Sequence, residues 1–376
     1  MPLRIHPAHK MPFPQLLERL RAARDNRLVT ERSGPDGLTL FTYTDRCVYD
    51  GAWDDITMAA RGLILDPGAG RIVATPFPKF FNAGERGQPI PDLSFEPMEK
   101  LDGSLIIIFH HQGQWKTATK GAFDSWQAQW AKEYMQGTDL SVLRPGTTYL
   151  AEGVHPQNRI VVHYPEPALV LLSAYDDKGH EVAFNDLVDL SAAVGWRTAR
   201  RMSFASMVEL MVHTKGLPRS QEGFVVRFDN GLRLKLKGDE YKRVHALISR
   251  ITPLAMWEAM LAGDDMEAIR REIPEEFLDD FDDIVRLLRE ILDNRLAKVA
   301  AVAASLAHLS DKEVGLQLPQ LDEEARPFIF PFRKSGGKLL EGRTRDVLFR
   351  SFRPTGNVLA GYTPSYAMAR VMDEAE

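Results

Sequence analysis

Beyond the N-terminal stretch and up to about Lys237, apolar residues come in short runs bounded by turn formers, whereas from Glu240 onward they recur at helical spacing. The first pattern predicts strands and the second predicts helices. One helix is expected earlier, from Pro14 to about Ala23. Gly62-Leu63-Ile64-Leu65 and Arg71-Ile72-Val73-Ala74 flank the turn Pro67-Gly68-Ala69-Gly70, and Leu105-Ile106-Ile107-Ile108-Phe109 leads into Gln112-Gly113. Both predict hairpins. A third surrounds Asp229-Asn230-Gly231, between Phe224–Phe228 and Leu232–Lys237, because Asn-Gly accepts the positive φ angles of a tight turn. After a break near Gly238, Phe277, Phe281, Ile284, Val285, Leu287, Leu288 and Ile291 mark a helix continuing through an Ala-rich stretch to about Leu309. The acidic cluster from Glu275 to Asp283 is expected on its solvated face.

Composition narrows the class without naming a function. A length of 376 residues suits two domains, and 44% hydrophobic with 26% charged residues is ordinary for a globular protein. The single cysteine, Cys47, excludes an intramolecular disulfide and a cysteine-based zinc site, so a reducing, cytoplasmic setting is expected. No targeting segment is expected at the N-terminus, and no window approaches the roughly 20 apolar residues of a membrane span. The net charge of -5 argues weakly against a polyanionic partner. Its distribution argues the other way. Between Arg333 and Arg370 stand eight basic residues (Arg333, Lys334, Lys338, Arg343, Arg345, Arg350, Arg353, Arg370) against Glu341 and Asp346. Phe349, Phe352 and Tyr362 are interleaved with them and could stack on unpaired bases.

The chemistry centres on Glu99-Lys100-Leu101-Asp102-Gly103-Ser104, just before the most apolar predicted strand. A lysine is a nucleophile only when neutral, and from an ordinary pKa of about 10.4 it must be lowered by roughly 3 to 4 units. Nearby cations can do that. Asp-Gly after the lysine suits a tight turn that lets the backbone approach a nucleotide. Alone, such a lysine is most simply a surface residue beside a turn. Its company in chain order changes that reading: Arg61-Gly62, then Lys79-Phe80-Phe81-Asn82, then Glu152 before His155-Pro156-Gln157-Asn158-Arg159-Ile160-Val161, then Glu222-Gly223-Phe224-Val225, then Lys235-Leu236-Lys237 with Tyr241.

With these elements the sequence resembles the covalent nucleotidyltransferases, the superfamily of ligases and mRNA capping enzymes, and within it the phage-type RNA ligase 1 family that repairs broken tRNA. The likeness covers about residues 38 to 290 and fades in the tail. It implies that Lys100 becomes bonded to AMP. It further implies that Lys235 and Lys237 hold the triphosphate, that Arg61, Lys79 and Glu99 lie against the nucleotide, and that Glu152 binds the ribose. Tyr43 matches a tyrosine near the adenosine, Tyr241 belongs to the nucleotide-binding set, and Lys120 matches a further lysine of that set. Glu222 is positioned for a divalent metal, with Asp264 and Asp265 as further metal contacts. The implied co-substrate is ATP, with Mg2+ or Mn2+. The implied partner is RNA with 5′-phosphate and 3′-hydroxyl ends, nicked tRNA among them.

These residue types fit the reaction on physical grounds. Attack on an α-phosphate develops charge on its oxygens and on departing pyrophosphate, which lysines and a divalent ion stabilise. Magnesium keeps several waters and takes one or two carboxylates. Each residue also has a plainer reading. Lys235 and Lys237 alternate along a strand and could face solvent, Glu152 and Glu222 could be structural ion-pair partners, and Asp264-Asp265 could cap a helix. The ordered set favours the chemical reading. DNA ligases and capping enzymes usually place a small β-barrel after the Lys-x-Lys strand, where helical periodicity stands here. A binding module without catalysis would not need the nucleophile. The expected fold is α+β, with a nucleotidyltransferase core of antiparallel β-sheets flanked by helices over residues 1–240. A mostly α-helical C-terminal domain over residues 241–376, with a role in RNA specificity, is expected to follow.

Overall fold

The computed structural model describes residues 5–85, 89–158, 160–248, 251–273, 277–355 and 358–364. The chain divides into two compact units, the first running through His245 and the second beginning at Ala246.

The first unit is α+β. Its strands are β1 (Val29–Ser33), β2 (Thr39–Tyr43), β3 (Arg61–Asp66), β4 (Arg71–Ala74), β5 (Phe81–Asn82), β6 (Phe95–Lys100), β7 (Ser104–His111), β8 (Gln114–Ala118), β9 (Thr148–Val154), β10 (Ala168–Tyr175), β11 (Arg197–Thr198), β12 (Gly223–Phe228) and β13 (Arg233–Lys237). They form three sheets in the orders β1-β2-β3-β4, β11-β10-β9-β7-β8 and β5-β13-β12-β6. The expectation of antiparallel sheets needs one amendment. The two-residue strands β5 and β11 sit at sheet edges and pair in parallel with β13 and β10.

The continuous apolar run of β7 is explained by burial on both faces. Leu105, Ile107 and Phe109 pack with Leu40, Ile64 and Leu150, while Ile106 and Ile108 pack with Ala151, Leu169, Leu171 and the inner side of the helix Trp126–Met135. The sheet containing β6, β12 and β13 shows instead a clean period-2 pattern. Phe224, Val226, Phe228, Leu234 and Leu236 are buried with Leu210 of the helix Met207–Lys215, which leaves the other face for polar work.

The predicted hairpins form, with one correction. In the β12–β13 turn only Gly231 has positive φ (75°), and Phe228 accepts from the Gly231 N–H while donating to the Leu232 carbonyl. That is a type I turn closed by a left-handed glycine, so Asn230 contributes its side chain, accepting from the Leu232 N–H at 3.1 Å, rather than a positive φ. In the β7–β8 turn both Gln112 and Gly113 have positive φ.

The helices of the second unit include the long helix Leu278–Ser305, and an isolated bridge joins Thr355 to Val358. Here the acidic cluster departs from expectation. Asp280 is buried and accepts the Tyr362 hydroxyl at 2.7 Å, because Phe277 and Phe281 beside it turn that part of the helix inward. Glu275 lies outside the described residues. The basic tail is also partly structural. Arg333 donates to the carbonyls of Leu306 and Leu309, Arg345 donates to those of Met260 and Leu261, and Phe349 is buried against Trp257. Phe349 is therefore not available to a base, whereas Lys334, Lys338, Arg343 and Arg350 are exposed. Arg370 lies outside the described residues. Among those residues no helix is long and apolar enough to cross a membrane.

Candidate active site

Strand register builds the site as a grid. Lys100 of β6, Gly223 of β12 and Lys237 of β13 lie abreast; Met98, Val225 and Lys235 form the next row; Glu96, Arg227 and Arg233 form the third. These are the positions opposite the buried face, so alternation alone brings Lys235 and Lys237 to the same side as Lys100. Above the grid lies a cavity of about 380 Å³. Arg61, Glu99, Lys100, Glu152 and Lys235 line it together with Met98, Val225, Phe80 and the charged third row.

Lys100 is held by a carboxylate. Its Nζ lies 2.5 Å from Oε1 of Glu222, a residue 1% exposed, and Lys237 Nζ lies 3.3 Å from the same oxygen. Glu222 stands just before β12 and is fixed there by Gly223, whose φ is 147° and whose place a Cβ would bring within 1.9 Å of the Leu236 carbonyl oxygen. The glycine of Glu-Gly-Phe-Val is thus required by backbone approach. Lys235 and Arg61 both stand over the Phe80 ring, at 5.3 and 5.6 Å. Lys79 and Lys120 stand over Tyr43, at 5.4 and 4.9 Å, and these three residues form a cation–aromatic cluster outside the cavity lining.

In the loop after Lys100, Gly103 approaches strand β9: a Cβ there would lie 2.5 Å from the Gly153 carbonyl oxygen, and its N–H donates to Glu152 Oε1 at 3.0 Å. Asp102 is buried, and its carboxylate accepts from the N–H groups of Val161 and Val162, both at 2.8 Å, and from the Tyr241 hydroxyl at 2.8 Å. Burial pushes this carboxyl above its ordinary range, against the opposing pull of those N–H groups and of Lys100. Tyr241 is fully buried, so it stands behind the lysine loop and does not line the cavity. Glu99 lines the cavity, but its carboxylate accepts from the Arg200 backbone N–H and from Arg200 Nε. Arg159 lies outside the described residues.

The third row was missed by sequence reasoning. Glu181 is buried between Arg233 and Arg227, and although burial alone would raise its carboxyl, the two guanidinium groups hold it below the usual range. The available signal was Arg233 itself, two residues before Lys235 and four before Lys237 on one strand face. Asp265 accepts from the N–H groups of Glu267 and Ala268 and so caps the helix Met266–Glu272. Asp264 and Asp265 belong to the second unit.

Residues 59–241 match a family model described as RNA ligase. A protein named as an RNA ligase in Rhodothermus phage RM378 is 26% identical over 229 residues, covering 46% of this chain and 51% of its own length. One named for both polynucleotide kinase and RNA ligase in Autographa californica nuclear polyhedrosis virus is 27% identical over 240 residues, covering 56% of this chain and 34% of its own length. The chain thus spans from a third to half of these relatives. Among solved structures, two forms of an archaeal ATP-dependent RNA ligase superpose with TM-scores of 0.50. Their identities are 13% and 15%, covering 75% and 97% of this chain and 83% and 99% of theirs, and they share the fold.

Proposed function

We propose that this chain, whose residues 59–241 match a family model described as RNA ligase, is an ATP-dependent RNA ligase acting through a lysyl-adenylate on Lys100. One observation carries the reading: Lys100 opens onto the cavity abreast of Lys237 and beside the buried Glu222, with Lys235 one row away. A binding module would have no use for a nucleophile held at a carboxylate.

In the first step Lys100 Nζ, once neutral, attacks the α-phosphorus of ATP; an N–P bond forms and the bond to pyrophosphate breaks. Lys235, Lys237 and Arg61 stabilise the charge that develops on the phosphate oxygens. An RNA 5′-phosphate oxygen then attacks the same phosphorus and frees Lys100. Finally an RNA 3′-hydroxyl attacks the 5′-phosphorus and releases AMP. Glu152, held by the Gly103 N–H, faces the ribose.

Among the described residues no group of three or more His, Cys, Asp or Glu is placed to hold a metal, and the carboxylate beside Lys100 is that of Glu222. That donor set fits Mg2+ or Mn2+ carried by the nucleotide's own phosphates and completed by Glu222; a metal contact at Asp264 and Asp265 is a separate proposal for the second unit. The ion would neutralise phosphate charge. Among the described residues, helices and not a β-barrel follow Lys237, which disfavours a DNA ligase or capping enzyme. Nicked tRNA is the proposed natural substrate, the cytoplasm the proposed location, and the second unit, through its exposed basic residues, the proposed contributor to RNA choice.

Incubation with labelled ATP and Mg2+ should place AMP on the protein, Lys100→Ala should abolish the label, and RNA ends should be sealed in preference to DNA ends. Undiminished labelling of Lys100→Ala would overturn the mechanism.

A further inference from the structure

Three aromatic rings run outward from strand β9 beside the site. Trp130 lies against Gly153, where a Cβ would come within 3.0 Å of its ring. The His155 ring meets Trp130 edge-on with centroids 5.3 Å apart, and meets Trp126 edge-on at 5.0 Å. Trp126, the outermost, is 43% exposed at the first turn of the helix Trp126–Met135, whose N-terminus Ser125 caps by accepting from the Ala128 N–H. Burial lowers the His155 pKa from its ordinary value.

The ladder is tied to the nucleophile loop. Glu152, next to Gly153, lines the cavity and accepts from the Gly103 N–H, and His155 follows only three residues later, about 10 Å along an extended strand. The segment after His155 returns to the same loop: Asn158 donates to Ser104 Oγ at 2.8 Å, and Val161 and Val162 donate to Asp102. The core explains the Trp130 ring. It does not explain a half-exposed indole at the outer end. Trp126 keeps 43% of its surface exposed, and every nucleobase offers a π-face to such an aromatic side chain.

We infer that Trp126, backed by His155, is a stacking platform for an unpaired nucleotide of the RNA strand, near the end that is joined. The inference rests on the RNA ligase reading and goes beyond it in naming a substrate contact on the first unit.

The test is binding of a single-stranded, 5′-phosphorylated RNA oligonucleotide by the full chain, measured by fluorescence anisotropy across a salt series. Lysyl-AMP formation from ATP and Mg2+ without RNA is measured in parallel. Trp126→Ala should weaken RNA binding roughly 5- to 100-fold, the range expected for loss of one base–aromatic stack. The slope of log affinity against log salt should stay unchanged, because no phosphate contact is removed. Lysyl-AMP formation should stay within about twofold of the unaltered protein, and Trp126→Phe should retain most of the affinity. His155→Ala, which loosens the backing ring, should show a smaller loss in the same direction. Wild-type affinity in Trp126→Ala, equal losses in the Phe and Ala variants, or a parallel fall in lysyl-AMP formation would overturn the platform. If the unaltered protein forms no lysyl-AMP, the ligase reading fails, while RNA binding still decides whether Trp126 stacks.

Discussion

The Tyr241 hydroxyl donates to the Asp102 carboxylate at 2.8 Å, joining the first turn of the helix after β13 to the loop that carries Lys100. The other Asp102 oxygen is held by the N–H groups of Val161 and Val162. Three separate segments of the first unit therefore meet on one buried carboxylate, and the position of the nucleophile depends on all of them.

Tyr241→Phe should cost about 1–3 kcal/mol in urea unfolding, the usual penalty for leaving a buried acceptor short of a donor. It should also slow lysyl-AMP formation more than it weakens ATP binding, because the residue holds the loop and stands outside the cavity. Unchanged stability together with an unchanged rate would show that the hydrogen bond does not position Lys100.

Two glycines should prove sensitive in a defined order. Gly223→Ala combines a φ of 147° with a Cβ 1.9 Å from the Leu236 carbonyl oxygen, whereas Gly103→Ala has its closest approach at 2.5 Å, to the Gly153 carbonyl oxygen. Overpacking costs typically about 1–3 kcal/mol, and an unfavourable φ adds to that. Gly223→Ala should be the more destabilised in thermal unfolding, and both should lose labelling by ATP. Gly195→Ala, at a helix end with open space around it, controls for φ alone. A reversed order would mean that the β12–β13 backbone gives way more easily than the lysine loop.

Lys235→Ala and Lys237→Ala should each slow lysyl-AMP formation by roughly 10²- to 10³-fold, as expected when one charge-stabilising donor is removed from a transition state. In the free protein the two lysines differ: Lys237 shares Glu222 with Lys100, and Lys235 stands over Phe80. Single-turnover kinetics at saturating ATP isolates the chemical step. An effect below tenfold for both lysines would remove them from it.

The hairpins and the shared face of Lys235 and Lys237 were legible in the sequence, because a period of two forces Arg233, Lys235 and Lys237 onto the face opposite Leu234 and Leu236, whereas the pairing of β12 with β6 that sets Lys100 beside them was not. Asp102 and Gly103 were legible as a motif but not in their role, since their partners lie 49 to 139 residues away and leave no local trace. Glu181 was missed for the same reason: it meets Arg227 and Arg233 only after the sheets pack. Phe349 reads as an exposed aromatic in a basic run and is instead core, because Trp257, far off in sequence, covers it.

The N-terminal segment should make stability depend on pH. His6 is buried, packs edge-on against Tyr175 with centroids 5.6 Å apart, and accepts from the Ala8 N–H through Nδ1. Burial, helped by repulsion from His9 and Lys10, lowers its pKa from 6.5 to about 3. A depressed folded-state pKa means that the unfolded chain takes up the proton first. The stability associated with neutral His6 is therefore complete above pH 6.5 and declines as pH falls from there towards 3, by about 1.4 kcal/mol per unit. His6→Asn keeps a side-chain acceptor near Ala8 and removes the titration. Measured by urea unfolding, the variant should be less stable than the unaltered protein at pH 7.5 and should close much of that gap by pH 5. A gap that is constant across this range would show that His6 does not couple folding to protonation.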